Sequence, residues 1–187
     1  MAWNAQTGSV RRWHPWRIAP WMVAAFILLL PVVAMQFTDE VIWDKADFAV
    51  MGALLFDACG AYELAARATG SIAYRAAVGI AVTAAITLIW MSLAVGITGS
   101  EDNPANLMFG GVLAVGLLVA IIIRFRPRGM VRVLVAMALA QVLIGMISLT
   151  AGLGTSGANW PAAVMILTGF FTALWFASAW LFRKAAA

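Results

Sequence analysis

Thr38-Asp-Glu-Val-Ile-Trp-Asp-Lys-Ala-Asp47 runs directly into Phe48-Ala-Val-Met-Gly-Ala-Leu-Leu-Phe-Asp57-Ala-Cys-Gly-Ala-Tyr62-Glu63-Leu-Ala-Ala-Arg67. A short polar segment, dense in acid, here gives way to more than twenty mostly apolar residues closed by an arginine. That is the outline of a membrane span entered from one side and left on the other, because about 20 apolar residues cross a hydrocarbon core. Six of the eight acidic residues lie in this stretch, and the other two are Glu101 and Asp102. The rest of the chain repeats the outline. Of 187 residues, 64% are hydrophobic and 11% charged, against about 45–50% and about 25% in a soluble domain.

Working outward, the apolar runs predict an all-α membrane protein, a bundle of six transmembrane helices with both termini cytoplasmic. The spans are expected near 18–37, 45–68, 72–98, 104–125, 130–152 and 160–182. They follow a basic cytoplasmic arm, 1–17, and precede a tail, 185–187, with one bundle from 18 to 184. The run after Arg17 ends Val32-Val-Ala34, like a signal-peptide cleavage site, but it is long for one and reads as an uncleaved first span. Pro31 removes a backbone donor inside that span and is expected to kink it. Asp44 and Ser71 are placed to cap the second and third helices. Asn103-Pro104 and Asn159-Trp-Pro161 mark the expected starts of the fourth and sixth.

The basic residues set the threading. Arg11, Arg12 and Arg17 precede the first span. Arg67 and Arg75 flank the 2–3 turn, and Arg124, Arg126, Arg128 and Arg132 flank the 4–5 turn. Arg183 and Lys184 follow the sixth. Eleven of twelve therefore share one side, leaving Lys45 on the other. The positive-inside rule makes the crowded side cytoplasmic. This also explains a pI near 10.0 without nucleic acid. The expected surroundings are the lipid bilayer, with a homo-oligomer or a membrane-protein partner. Small residues four apart (Gly116 and Ala120; Ala136 and Ala140; Gly169, Ala173 and Ala177) are expected to let helices approach closely.

Three groups of residues are candidates for function. The first is Asp57, near the middle of the second span and about 15 Å along the helix from Asp47. A carboxylate at that depth is costly and is usually turned inward, paired or protonated. With Gln141, Thr83 and Thr87 it forms a candidate ion or proton site, or else a hydrogen-bonded tie between helices. The second group is the outer acidic set, Asp39, Glu40, Asp44 and Asp47, with Glu101, Asp102, Asn103 and Asn106 on the next outer loop. Carboxylate and amide oxygens suit Ca²⁺ or Mg²⁺, yet no spaced metal loop is present, and capping plus topology account for the same residues. The third group is Glu63 and Arg67, four apart, the spacing of a structural ion pair.

Other chemistries are excluded by composition. Gly154-Thr-Ser-Gly157 matches the GxSG of rhomboid proteases, but the only histidine, His14, lies in the basic arm, so a serine hydrolase lacks its base. No lysine lies inside a span to form a retinal Schiff base, and no histidine to ligate haem or zinc. The single cysteine, Cys59, cannot form an intramolecular disulfide and reads as a small core residue. No cofactor is predicted, and no enzyme.

Several runs together resemble a family of small bacterial multispan integral membrane proteins with no assigned activity. They are Ala34-Met-Gln-Phe-Thr-Asp-Glu-Val41, Trp43, Asp47-Phe48, Tyr62-Glu63-Leu64 and Tyr74-Arg75, then Ala94-Val-Gly-Ile97, Gly99-Ser-Glu-Asp-Asn-Pro-Ala-Asn-Leu-Met108 and Arg124-Phe-Arg-Pro-Arg-Gly-Met130. The resemblance implies a bacterial inner-membrane location and adds no mechanism. It points to the outer loops more than to Asp57. The function expected is that of a non-enzymatic accessory, assembly or scaffolding subunit. The alternative is a small cation- or proton-linked transporter or channel with an acidic outer mouth and Asp57 in the path.

Overall fold

The computed structural model describes residues 15–187 apart from 101, 156 and 158, with side chains from residue 18 onward. The basic arm before Pro15, and Glu101 with it, lie outside the described residues. Six helices follow in order: α1 Pro15–Ala34, α2 Lys45–Ala68, α3 Ile72–Ala94, α4 Asn106–Ile122, α5 Pro127–Thr150 and α6 Ala162–Ala185. Four of them, α2, α3, α5 and α6, are long and apolar enough to cross a membrane. The stretch Ile18–Ala34 of α1 and all of α4 are apolar but shorter. At about 1.5 Å per residue, the 17 residues of α4 reach only about 25 Å, so the expected 104–125 span is too long at both ends.

The other boundaries shift as local chemistry dictates. α1 ends at Ala34 and residues 35–37 turn away, short of the expected 37. α3 stops at Ala94, not 98, because Gly96 takes a left-handed φ of 75° and redirects the chain. α5 begins at Pro127, three residues early, since proline fits a first helical turn without losing a bond. α6 begins at Ala162 and runs to Ala185, absorbing the start of the expected tail.

The described residues fall into two compact units that divide inside α2, between Gly52 and Ala53. In the first unit Asp44 caps α2. Its Oδ1 accepts from Ala46 N at 2.7 Å and Asp47 N at 2.9 Å, while Asp47 Oδ2 accepts from Asp44 N at 2.9 Å. This reciprocal box satisfies N–H groups that no helical carbonyl reaches. Trp43 packs edge-on against Phe48 there, centroids 5.1 Å apart.

The second unit is built on α5 and α6. α5 buries Met130, Leu134, Met137, Ala138, Gln141, Gly145 and Ser148 along one face, a helical repeat of three and four. α6 buries Val164, Phe171, Trp175, Ser178 and Phe182. α3 packs on α6, and α4 packs on α5 and more lightly on α3. Two glycines permit close approach. Gly116 of α4 faces the Met137 side chain, and a Cβ on Gly145 would meet Thr168 Oγ1 at 2.6 Å. The other small residues fall differently: Ala136, Gly169, Ala173 and Ala177 are exposed, so the α6 stripe faces away from this unit's core.

The turns at the basic end are closed by side chains. Arg75 donates to Thr69 O at 2.8 Å and Ala66 O at 3.0 Å, covering carbonyls left over at the end of α2. Ser71 Oγ accepts from Tyr74 N at 3.3 Å to cap α3. Tyr74 Oη donates to Phe125 O at 3.1 Å, and its ring meets Phe182 edge-on at 5.1 Å. This tie holds the 4–5 turn, where Arg124 and Phe125 both take left-handed φ near 54° and 53°. Lys184 lies 3.8 Å above the Trp180 ring.

Candidate functional site

The acidic and amide residues of the expected outer set are mostly committed to backbone. In the second unit the α3–α4 connection tucks inward, and Ile97 and Thr98 are fully buried. Buried non-helical backbone in a membrane protein must find partners within the protein. Asn106 supplies them. Its Oδ1 accepts from Ile97 N at 3.0 Å, Thr98 N at 3.0 Å and Thr98 Oγ1 at 2.8 Å, and its Nδ2 donates to Ser100 O at 2.8 Å. Asn103 donates to Thr98 O at 2.7 Å and accepts from Ala105 N at 3.0 Å. Asn103 and Asn106 are therefore structural pins of this turn. Asp44 and Asp47 are occupied as caps. Asp39, Glu40 and Asp102 are exposed. Among the described residues no three His, Cys, Asp or Glu side chains gather closely enough to hold a metal ion.

The neighbouring turn explains the GxSG motif. Gly99 has φ +94° and Gly154 has φ +109°, a region where L side chains are strained. A Cβ on Gly99 would lie 2.7 Å from Gly154 O, and one on Gly154 would lie 2.6 Å from Thr98 O. The α3–α4 and α5–α6 connections thus meet backbone to backbone. The two glycines serve that contact, and Ser156 lies outside the described residues.

Asp57 stands apart from these turns. It is exposed on α2. It makes no hydrogen bond or ion pair with another described residue. Within the second unit α2 packs lightly. Its Tyr62 ring passes 3.7 Å from the Cβ position of Gly79, and Phe56 and Leu64 are 64% and 68% exposed. Glu63 and Arg67 are paired at 2.6 Å. With the arginine largely exposed, that pair is worth at most about 1 kcal/mol.

Gln141 lies elsewhere, fully buried on the core face of α5. Thr83 is exposed and Thr87 half-buried. Asp57 is thus exposed on α2, while Gln141 is enclosed on α5. What sequence reading missed is the company around Gln141. Ser92 Oγ, Ser148 Oγ, Thr168 Oγ1, Thr172 Oγ1, Trp175 Nε1 and both polar atoms of Gln141 are buried without a partner from the described protein. The signal was present as two spacings, Gln141-Gly145-Ser148 on α5 and Thr168-Thr172-Trp175 on α6, each i, i+4, i+7.

No known family, curated protein or solved structure matches this chain.

Proposed function

We propose that this chain is a non-enzymatic integral membrane protein that acts by helix–helix contact, as an accessory, assembly or scaffolding subunit. One observation carries the reading: Asp57 sits midway along an apolar helix, exposed and without a partner among the described residues. A carboxylate facing lipid at that depth is costly, and a hydrogen-bonding group on a neighbouring helix removes the cost. The exposed Gly169-Ala173-Ala177 stripe of α6 offers a second face that another helix can approach closely. The threading that accompanies this reading is six spans in a bacterial inner membrane, both termini cytoplasmic. Eleven of twelve basic residues at one set of helix ends support it.

Native electrophoresis and mass photometry after gentle solubilisation test the proposal. The expected result is a homo-oligomer or a stoichiometric complex that dissociates in Asp57→Leu and persists in Asp57→Asn, with the melting temperature of the isolated chain little changed. A strictly monomeric wild type with no co-purifying protein rejects it.

A further inference from the structure

The unpartnered polar atoms inside the second unit form a directional pattern. Ser92 is near the last turn of α3, and Ser148 is near the last turn of α5. From the same end, Thr168, Thr172 and Trp175 follow along α6. Counting at about 1.5 Å per residue, Ser148 lies about 3 Å inside the bundle, Thr168 about 9 Å, Gln141 and Thr172 about 14–15 Å, and Trp175 about 20 Å. Gly145 against Thr168 fixes the α5–α6 register. One turn deeper on each antiparallel helix brings Gln141 level with Thr172. Beyond Trp175 the line closes: Ser178 donates to Ala77 O at 2.8 Å, and Leu134, Phe182 and Ala138 fill the core.

Seven such atoms at matching depths in one unit are too many to be left bare. Each buried hydrogen-bonding group without a partner costs about 1–3 kcal/mol, and native interiors hold only a few per hundred residues. The occupant must bring both donors and acceptors, because the hydroxyls and the amide offer both, while the Trp175 indole offers only a donor. It must also be neutral. Charged residues on α3, α5 and α6 (Arg75, Arg128, Arg132, Arg183 and Lys184) all lie at the opposite end. An ion in the seam would have no counter-charge nearby.

We propose that α3, α5 and α6 enclose a chain of ordered water molecules, held by Ser92, Ser148, Thr168, Gln141, Thr172 and Trp175. It runs from the Gly99–Gly154 end and stops at the Ser178–Ala77 hydrogen bond. The site is independent of Asp57 and of any partner helix.

Hydroxyl-radical footprinting of the full chain in detergent, with radicals made by radiolysis of water, reads this directly, because bound water oxidises the side chain beside it. Trp175 and Phe182 are equally buried, at 1% and 0% exposure. After correction for ring reactivity, Trp175 is expected to oxidise several-fold faster than Phe182. In Gln141→Leu/Thr172→Val its rate should fall to that of Phe182. If the double variant fails to fold, Thr172→Val alone, a change of shape by almost nothing, should lower the rate part of the way. Trp175 oxidising no faster than Phe182 means a dry seam and overturns the proposal. A fast rate unchanged in the variants overturns it equally, since the radicals then come from elsewhere.

Discussion

At the scale of single residues, Asn106 carries the most weight. One amide satisfies two buried backbone N–H groups and a hydroxyl, so its loss leaves all three without an acceptor. Asn106→Ala is expected to cost at least about 3 kcal/mol, from about 1–3 kcal/mol for each of the three orphaned donors. Thermal unfolding in detergent, followed by tryptophan fluorescence, would show the drop. Asn106 is also where the sequence left the role open. An asparagine in a short polar loop has the same composition whether its amide faces solvent or pins the chain, and only the inward tuck of Ile97 and Thr98 decides. Asp44 was readable as a cap because its partners are three residues away, and local bonds follow from local spacing. Asp57 was readable as costly but not as exposed, since helix rotation depends on neighbours far off in the chain.

Among the elements, contact is decided by which glycines are covered. A methyl on Gly145 runs into Thr168 at 2.6–2.7 Å, and two helix backbones must part to admit it. A methyl on Gly110 of α4 meets nothing within 4 Å. Gly145→Ala is therefore expected to lose about 1–3 kcal/mol through overpacking. Gly110→Ala should be neutral or gain up to about 1 kcal/mol from reduced backbone entropy. Paired denaturation curves would separate them, and equal effects would refute this account of the α5–α6 seam. Helix existence was legible throughout from apolar run length, and α2 begins where its Asp44 cap predicts. The end of α3 was not, because there the chain leaves the helix to bury Ile97 and Thr98 against Asn106.

For the whole molecule, the decisive quantity is the placement of charge. The basic residues cluster at the 2–3 turn, the 4–5 turn and the C-terminal end of α6, and the threading follows if those ends share one side. Single cysteines in a Cys59→Ala background test it with an impermeant maleimide on intact cells. Cysteine in place of Asp39 or Asp102 is expected to label. Cysteine in place of Arg128 or Lys184 should label only after the membrane is opened. The reverse pattern would invert the topology and with it the expected cytoplasmic termini.

The meeting of Gly99 with Gly154 joins points separated by all of α4 and α5. During synthesis, the inward-folded backbone at Ile97 and Thr98 is made long before the residues that cover it. Gly154, which closes against that turn, follows only after the whole of α4 and α5. Premature termination or slow translation anywhere in α5 leaves that turn uncovered, the kind of lesion that quality-control proteases of the membrane recognise. The glycine contact thus also sets how much of the chain must exist before any of this half is finished.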